Sequence, residues 1–214
     1  MKFLNFNKVL CLSPHPDDVE YSMLGTITKY TSTVFDVLCL TKGGAKGFDQ
    51  TNGPNRLKEV QAVWDSIDTP NVNLLFSDCD FFEDKAGDAG WVNYIENNFV
   101  KNTDYDCIFL PTKDDSMFEH KFVNGLGPAI VRILPISLVE YRTPSTTNEW
   151  KPNIFVNVKD QYNKKLKSLT NFTSQTSKSY FQKNTLEAFH SNFQCRKRGI
   201  QLVEQFKTIE IFNK

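Results

Sequence analysis

Apolar residues gather in six short runs, at 9–13, 34–41, 72–76, 107–111, 136–141 and 154–158. Each is rich in β-branched and aromatic side chains and bounded by turn residues, which predicts strands. Between most of them the spacing changes to three and four residues. Leu57, Val60, Val63, Trp64 and Ile67 mark a helix over 56–67. Further helices are predicted over 91–100 and, despite Gly and Pro in its middle, over 120–134. The last third differs, with helices predicted over 161–168 and 185–206. Strands that are apolar throughout and alternate with helices predict an α/β fold. The expected form is a single-domain, Rossmann-like sandwich with a mainly parallel sheet and C-terminal helices. No internal repeat or low-complexity linker divides the chain, so residues 1–214 are expected to form one domain.

Charge changes this picture little. The 25 basic and 25 acidic side chains cancel, which gives no general electrostatic reason to expect nucleic acid or an anionic membrane as partner. Arg196, Lys197 and Arg198 form the one obvious basic cluster and read as a solvated helix face. No run approaches the roughly 20 apolar residues that cross a bilayer, and the start reads as a first strand rather than a signal peptide. Five cysteines without CxxC spacing point to buried thiols in a reducing cytoplasm rather than to disulfides. Nothing in the pattern speaks to oligomeric state.

In open α/β sheets, ligands bind beyond the carboxyl ends of the strands. Directly after the first strand stands Ser13-Pro14-His15-Pro16-Asp17-Asp18, leading into a helix that begins near Glu20. Prolines on both sides of His15 stiffen the loop. Adjacent carboxylates point in different directions, so one can bind a metal while the other faces a metal-bound water. The loop can equally be an ordinary turn with helix-capping aspartates. Catalytic zinc usually takes three protein ligands, so a His-x-x-Asp pair is half a site. Only three histidines are present. His120 follows the fourth strand within Asp114-Asp115-Ser116-Met117-Phe118-Glu119-His120, at the sheet edge where a third ligand is needed. His190, without an acidic companion at a useful spacing, reads as structural or surface. The second histidine-bearing acidic loop favours the metal. The segment Lys42-Gly43-Gly44-Ala45-Lys46-Gly47 lacks both the Walker ending and GxGxxG spacing, and reads as an active-site rim.

These pieces, in this order, resemble the PIG-L/LmbE family of zinc-dependent N-deacetylases over nearly the whole chain. Ser13–Asp18 resembles its first signature, and Leu40-Thr41-Lys42-Gly43-Gly44 its threonine–glycine loop. Arg56 and Glu59 resemble an Arg-x-x-Glu helix, and 115–120 resembles Asp-x-His-x-Asp-His. Ser174-Gln175 resembles a Ser-Gln pair, and 198–206 a closing helix with Glu-x-Phe. The resemblance implies zinc held by His15, Asp18 and His120, with Asp17 as general base. It also places Arg56 and Asp80 near substrate-contacting positions; Glu59 and Glu204 read alternatively as buried ion-pair partners. Met117 stands where relatives carry a histidine credited with stabilising the oxyanion or acting as acid, and Glu119 replaces an aspartate. Lys113 or Tyr141 are candidates to supply the missing donor. The implied substrate is an N-acetylated amino sugar, or a nucleotide-sugar or glycan precursor of polysaccharide biosynthesis. Phe48, Phe81, Phe82 and Trp91 could stack on its ring or simply pack. Because Met117 lacks a donor, a catalytically impaired, carbohydrate-binding pseudoenzyme stands as the alternative.

Overall fold

The computed structural model describes residues 1–43 and 53–212. Seven strands form one sheet: β1 (Lys8–Ser13), β2 (Val34–Cys39), β3 (Val72–Phe76), β4 (Cys107–Pro111), β5 (Ser137–Tyr141), β6 (Ile154–Asn157) and β7 (Val203–Glu210). Their order is β3-β2-β1-β4-β5-β7-β6. The first five are mutually parallel, and β7 runs antiparallel to both β5 and β6. The chain steps from β1 outward to β2 and β3, then returns to the other side of β1 for β4. That reversal is the topological switch point at which open α/β sheets bind ligands.

Successive strand residues face opposite sides, and both sides are covered. Val9, Cys11, Phe35, Val37, Cys107, Phe109 and Val139 pack into one core, with Val19, Met23, Val60, Trp64 and Leu169 from the helices. Leu10, Leu12, Leu38, Ile108, Leu110 and Leu138 pack into the other, with Trp91, Ile95, Val123 and Ile130. This double burial explains why the strands read as continuous apolar runs rather than alternating ones. The first face carries α1 (Asp18–Lys29), α2 (Gly53–Asp65) and α5 (Lys159–Leu169), and the second carries α3 (Gly87–Ile95) and α4 (Phe118–Val131). A π-helical turn, Glu96–Val100, extends α3. No helix among the described residues is long and apolar enough to cross a membrane.

The expected α/β sandwich is present, and all six predicted strands form. One expectation is overturned. Residues 185–206 are not a helix: α6 (Lys183–Phe189) and α7 (Phe193–Lys197) are short, and the chain then enters β7. Asn192 accepts from the backbone N–H groups of Gln194 (3.0 Å) and Cys195 (3.2 Å), starting α7 afresh. Gly199, with φ of +83°, turns the chain out of it. The start, too, differs: residues 1–7 precede β1 rather than belonging to it.

Candidate functional site

The loop after β1 is closed by its own side chains. Asp18 accepts the His15 backbone N–H at 2.9 Å, and the Ser13 hydroxyl donates to the His15 carbonyl at 2.7 Å. From the end of β2, the Thr41 hydroxyl donates to the Pro14 carbonyl at 2.9 Å. These bonds fix His15 and Asp18 side by side, with His15 Nδ1 3.2 Å from Asp18 Oδ2. His120, in the first turn of α4, completes the group: its Nε2 lies 3.2 Å from Asp18 Oδ1. One ligand atom each from His15, Asp18 and His120 falls within 4.8 Å of the others.

His120 is buried and held from behind. Its Nδ1 faces Asp115 Oδ2 at 3.1 Å, with the Thr143 and Ser145 hydroxyls each at 3.3 Å. Asp115 is itself fixed by the Met117 backbone N–H (2.8 Å) and the Thr143 hydroxyl. With an Nδ1 proton directed at Asp115, the neutral imidazole would offer its Nε2 lone pair to the cavity, whereas the imidazolium turns an Nε2 proton to Asp18. That Nε2 is buried and makes no hydrogen bond among the described residues. Burial opposes charge on this imidazole, yet Asp18 and Asp115 outweigh it and push its pKa up to about 10. Burial likewise works against the Asp18 carboxylate, but His120 and His15 hold it far below the usual range. The site therefore attracts a cation to the space between its three donors. Two imidazoles and a carboxylate form a donor set suited to a divalent transition metal such as zinc.

Asp17 points elsewhere, as adjacent side chains must. Its Oδ1 pairs with Arg56 Nη2 at 3.0 Å, and Arg56 Nη1 donates to the Gly43 carbonyl. Gly43 sits at φ +79°, a conformation that strains any side chain, and a Cβ there would also crowd Arg56 and Pro16, so the position favours glycine. Burial, the largest influence, raises the Asp17 pKa, and Arg56 opposes it. His15, Asp17, Asp18, Arg56 and His120 all line one cavity of about 270 Å³, together with Met117, Pro144, Ser145, Lys178 and Tyr180. A second cavity of about 300 Å³ shares His15 and is walled by Phe82, Phe118, Phe122, Glu83 and Glu119.

Residues 10–131, more than half of the chain, match the PIG-L family of GlcNAc-PI de-N-acetylases. The chain belongs to the PIG-L family. No curated protein matches it. Among solved structures, it resembles an N,N′-diacetylchitobiose deacetylase from Pyrococcus horikoshii with a TM-score of 0.76 and 22% identity, over 97% of this chain and 85% of that one. It also resembles the zinc-inhibited form of a teicoplanin deacetylase (TM-score 0.71, 12% identity, 97% and 100% covered). A 4-carboxy-2-hydroxymuconate hydratase from Pseudomonas putida has the same fold (TM-score 0.75, 14% identity, 100% and 98% covered). At such identities the likeness establishes the fold, and the reaction must be argued from the site.

Within this PIG-L chain, the residues expected at the site separate into two groups. His15, Asp17, Asp18, Arg56, Met117 and His120 share the cavity. Asp80 does not line it; half-exposed, its carboxylate pairs with Lys42. Neither suggested replacement donor reaches it. Tyr141 is fully buried, donating to the Leu12 carbonyl at 2.7 Å, and Lys113 is exposed elsewhere. Trp91 is a core residue, Phe82 lines the second cavity, and Phe48 lies outside the described residues, as do residues 44–47 of the glycine-rich segment. His190 is structural as expected, fully buried with Nε2 2.8 Å from Lys165 Nζ. Glu59 is buried but serves as an acceptor rather than an ion-pair partner: it takes hydrogen bonds from Thr173 Oγ1 (2.6 Å) and from Ser174 N (2.8 Å) and Oγ (2.6 Å). Sequence reasoning missed Asp115 as the partner of His120, and it missed Ser145, Lys178 and Tyr180. The Ser174-Gln175 pair was the only nearby signal for the last two.

Proposed function

We propose that this chain is a zinc-dependent N-deacetylase that releases acetate from an N-acetylated amino sugar, as the free sugar or within a nucleotide-sugar or glycan precursor. The observation that carries this reading is the buried His120 Nε2, which faces the Asp18 carboxylate and gathers with His15 and Asp18 within 4.8 Å, beside an Asp17 turned away to Arg56. The family's description as GlcNAc-PI de-N-acetylases, and a fold neighbour that acts on diacetylchitobiose, support a sugar amide as substrate. His15, Asp18 and His120 would hold the zinc. When bound, it would lower the pKa of a water and polarise the acetamide carbonyl.

The remaining work falls to the chain's own groups. Asp17, buried and raised above an ordinary carboxylate, takes the proton as water adds to the carbonyl carbon. Arg56 holds that carboxylate in place and limits its rotation. Asp115 fixes the His120 ring so that Nε2 alone faces the site. The whole 1–214 chain acts as one deacetylase domain. Five buried, unpaired cysteines suit a reducing, cytoplasmic compartment.

Asp17→Asn tests the assignment directly. Metal analysis should find zinc retained, while acetate release from N-acetylglucosamine and its nucleotide derivatives falls at least about 10²-fold, the scale of a general base. Full turnover in that variant removes Asp17 from the mechanism. One observation favours a second reading, that of a sugar-binding pseudoenzyme: Met117, which lacks a strong donor, lines the cavity. Sugar binding without acetate release from any N-acetylated substrate would establish that alternative.

A further inference from the structure

Amide hydrolysis needs a proton donor as well as a base, because an amine leaves only after its nitrogen is protonated. Most donors in the cavity are already committed. His120 is held by Asp115 and faces Asp18, and His15 contacts Asp18. Arg56 spends its terminal nitrogens on Asp17 and Gly43. The Ser145 hydroxyl lies against His120 Nδ1 and Thr143. Met117 has no proton to give. Asp17, once it has taken the water proton, is still held at Oδ1 by Arg56. Lys178 and Tyr180 remain on the wall; neither the ammonium nor the phenol has a hydrogen bond or ion pair among the described residues, and the ammonium lies 5.7 Å from the Tyr180 ring centroid.

The segment bearing both is held by the same helices that carry the site. Glu59 lies one turn beyond Arg56 on α2 and binds Thr173 and Ser174. Tyr21, one turn beyond Asp18 on α1, donates to the Tyr180 carbonyl at 2.7 Å, and its ring packs edge-on against Tyr180 and Phe181. Although Lys178 is exposed as a residue, its side chain forms part of the cavity wall. We propose that Lys178 is the general acid of this site, supplying from a separate segment the proton that Met117 cannot. Acidity separates it from its neighbour. Desolvation, the largest influence, and Arg56 push the Lys178 amine down, against Asp17 and Asp18. Burial pushes the Tyr180 phenol up, making it the poorer acid.

The inference rests on the deacetylase reading, and its steps balance. Water adds to the carbonyl carbon, one of its protons passes to Asp17, and the carbonyl electron pair moves onto oxygen. The Lys178 ammonium then protonates nitrogen, the C–N bond breaks with its electron pair leaving on the amine, and the C=O bond re-forms. The acetic acid returns a proton to Lys178, and Asp17 passes its own to the free amine. The products are acetate and an ammonium sugar.

Three variants test this, with two probes: a methylphosphonamidate of glucosamine, mimicking the tetrahedral intermediate, and N-acetylglucosamine. Lys178→Met should lose about 10²–10³-fold in acetate release, the scale typical of a single lost transition-state donor. It should also bind the phosphonamidate at least tenfold more weakly by calorimetry, with N-acetylglucosamine binding unchanged. Lys178→Arg should recover phosphonamidate binding but not turnover, because a guanidinium does not release its proton. Adding Met117→His to Lys178→Met should restore part of the lost rate. Unchanged turnover in Lys178→Met, or wild-type turnover in Lys178→Arg, overturns the proposal. A wild-type protein that binds neither probe and releases no acetate overturns the deacetylase reading itself, and this inference with it.

Discussion

Asp115 illustrates how little of a site resides in its proposed ligands. It does not face the space between His15, Asp18 and His120, yet it holds the Nδ1 side of His120 and so leaves Nε2 to the cavity. Removing such a partner typically costs 10–100-fold in metal affinity. Asp115→Ala should accordingly weaken zinc binding by about 10–100-fold in a chelator competition while far-ultraviolet circular dichroism stays native. Unchanged affinity would mean that packing alone orients the ring. Glu20 makes a second prediction at this scale. It is fully buried beneath the site, receives one hydrogen bond from Trp64 Nε1 at 2.7 Å, and has an unpartnered Oε2. Burial, the largest influence, aided by Asp17 and Asp18, raises its pKa from 4.5 to about 7. The folded state then binds more protons than the unfolded chain between these values, so this group lowers stability as pH rises through the window. Glu20→Gln carries no such dependence. Its melting temperature relative to wild type should be higher at pH 8 than at pH 5, and equal offsets at both would refute the assignment.

At the scale of elements, helix α4 carries His120 and must lie close on the sheet. Gly127 permits this, since a Cβ there would fall 2.3 Å from Leu110 Cδ1 on β4. Gly127→Ala forces Leu110 to rotate or the helix to lift, an overpacking that costs roughly 1–3 kcal/mol. Chemical denaturation should register that loss, and weaker zinc binding should accompany it if the helix lifts. The elements that build the site were legible because double burial makes their strands continuous apolar runs, and the strand-end rule led from those runs to His15 and His120. Two others were not. In β7, Val203, Glu204, Gln205 and Phe206 are all buried, apolar and polar alike, so no alternation marks a strand. The segment bearing Lys178 and Tyr180 has no period at all. It is shaped by long-range bonds from Glu59 and Tyr21, which sequence spacing does not encode. Asp80, placed near the substrate only by the family resemblance, lies off the cavity wall and pairs with Lys42, a local surface contact that spacing does not encode.

For the molecule as a whole, Glu204 is the point at which the late strand, two helices and the chain's C-terminal third meet. On β7 and fully buried, its Oε1 pairs with Lys165 Nζ of α5 at 2.6 Å. It also accepts the backbone N–H groups of Gly25 (2.9 Å) and Thr26 (2.5 Å) on α1, the helix that Asp17 and Asp18 begin. A Cβ on Gly25 would crowd Val158 and Glu204 Oε1, at 2.9 and 3.0 Å, so the close approach depends on glycine. Burial opposes the carboxylate, but Lys165 and His190 hold its pKa at about 2, below the ordinary 4.5. A carboxyl depressed by folding contributes stability that is fully present above the unfolded value and lost as pH falls towards the folded one. Wild-type stability should therefore decline between about pH 4.5 and pH 2, by an amount on the order of 3 kcal/mol from this group. Glu204→Gln removes that dependence and leaves the buried Lys165 without its counter-charge, which costs about 3–5 kcal/mol at neutral pH. Adding Lys165→Met should recover much of that loss, because an apolar side chain of similar length needs no partner there. Denaturation midpoints at pH 7 check this order of stability: wild type and the double variant above the single one. A single variant as stable as wild type would show that the three-way contact organises the fold without holding it together.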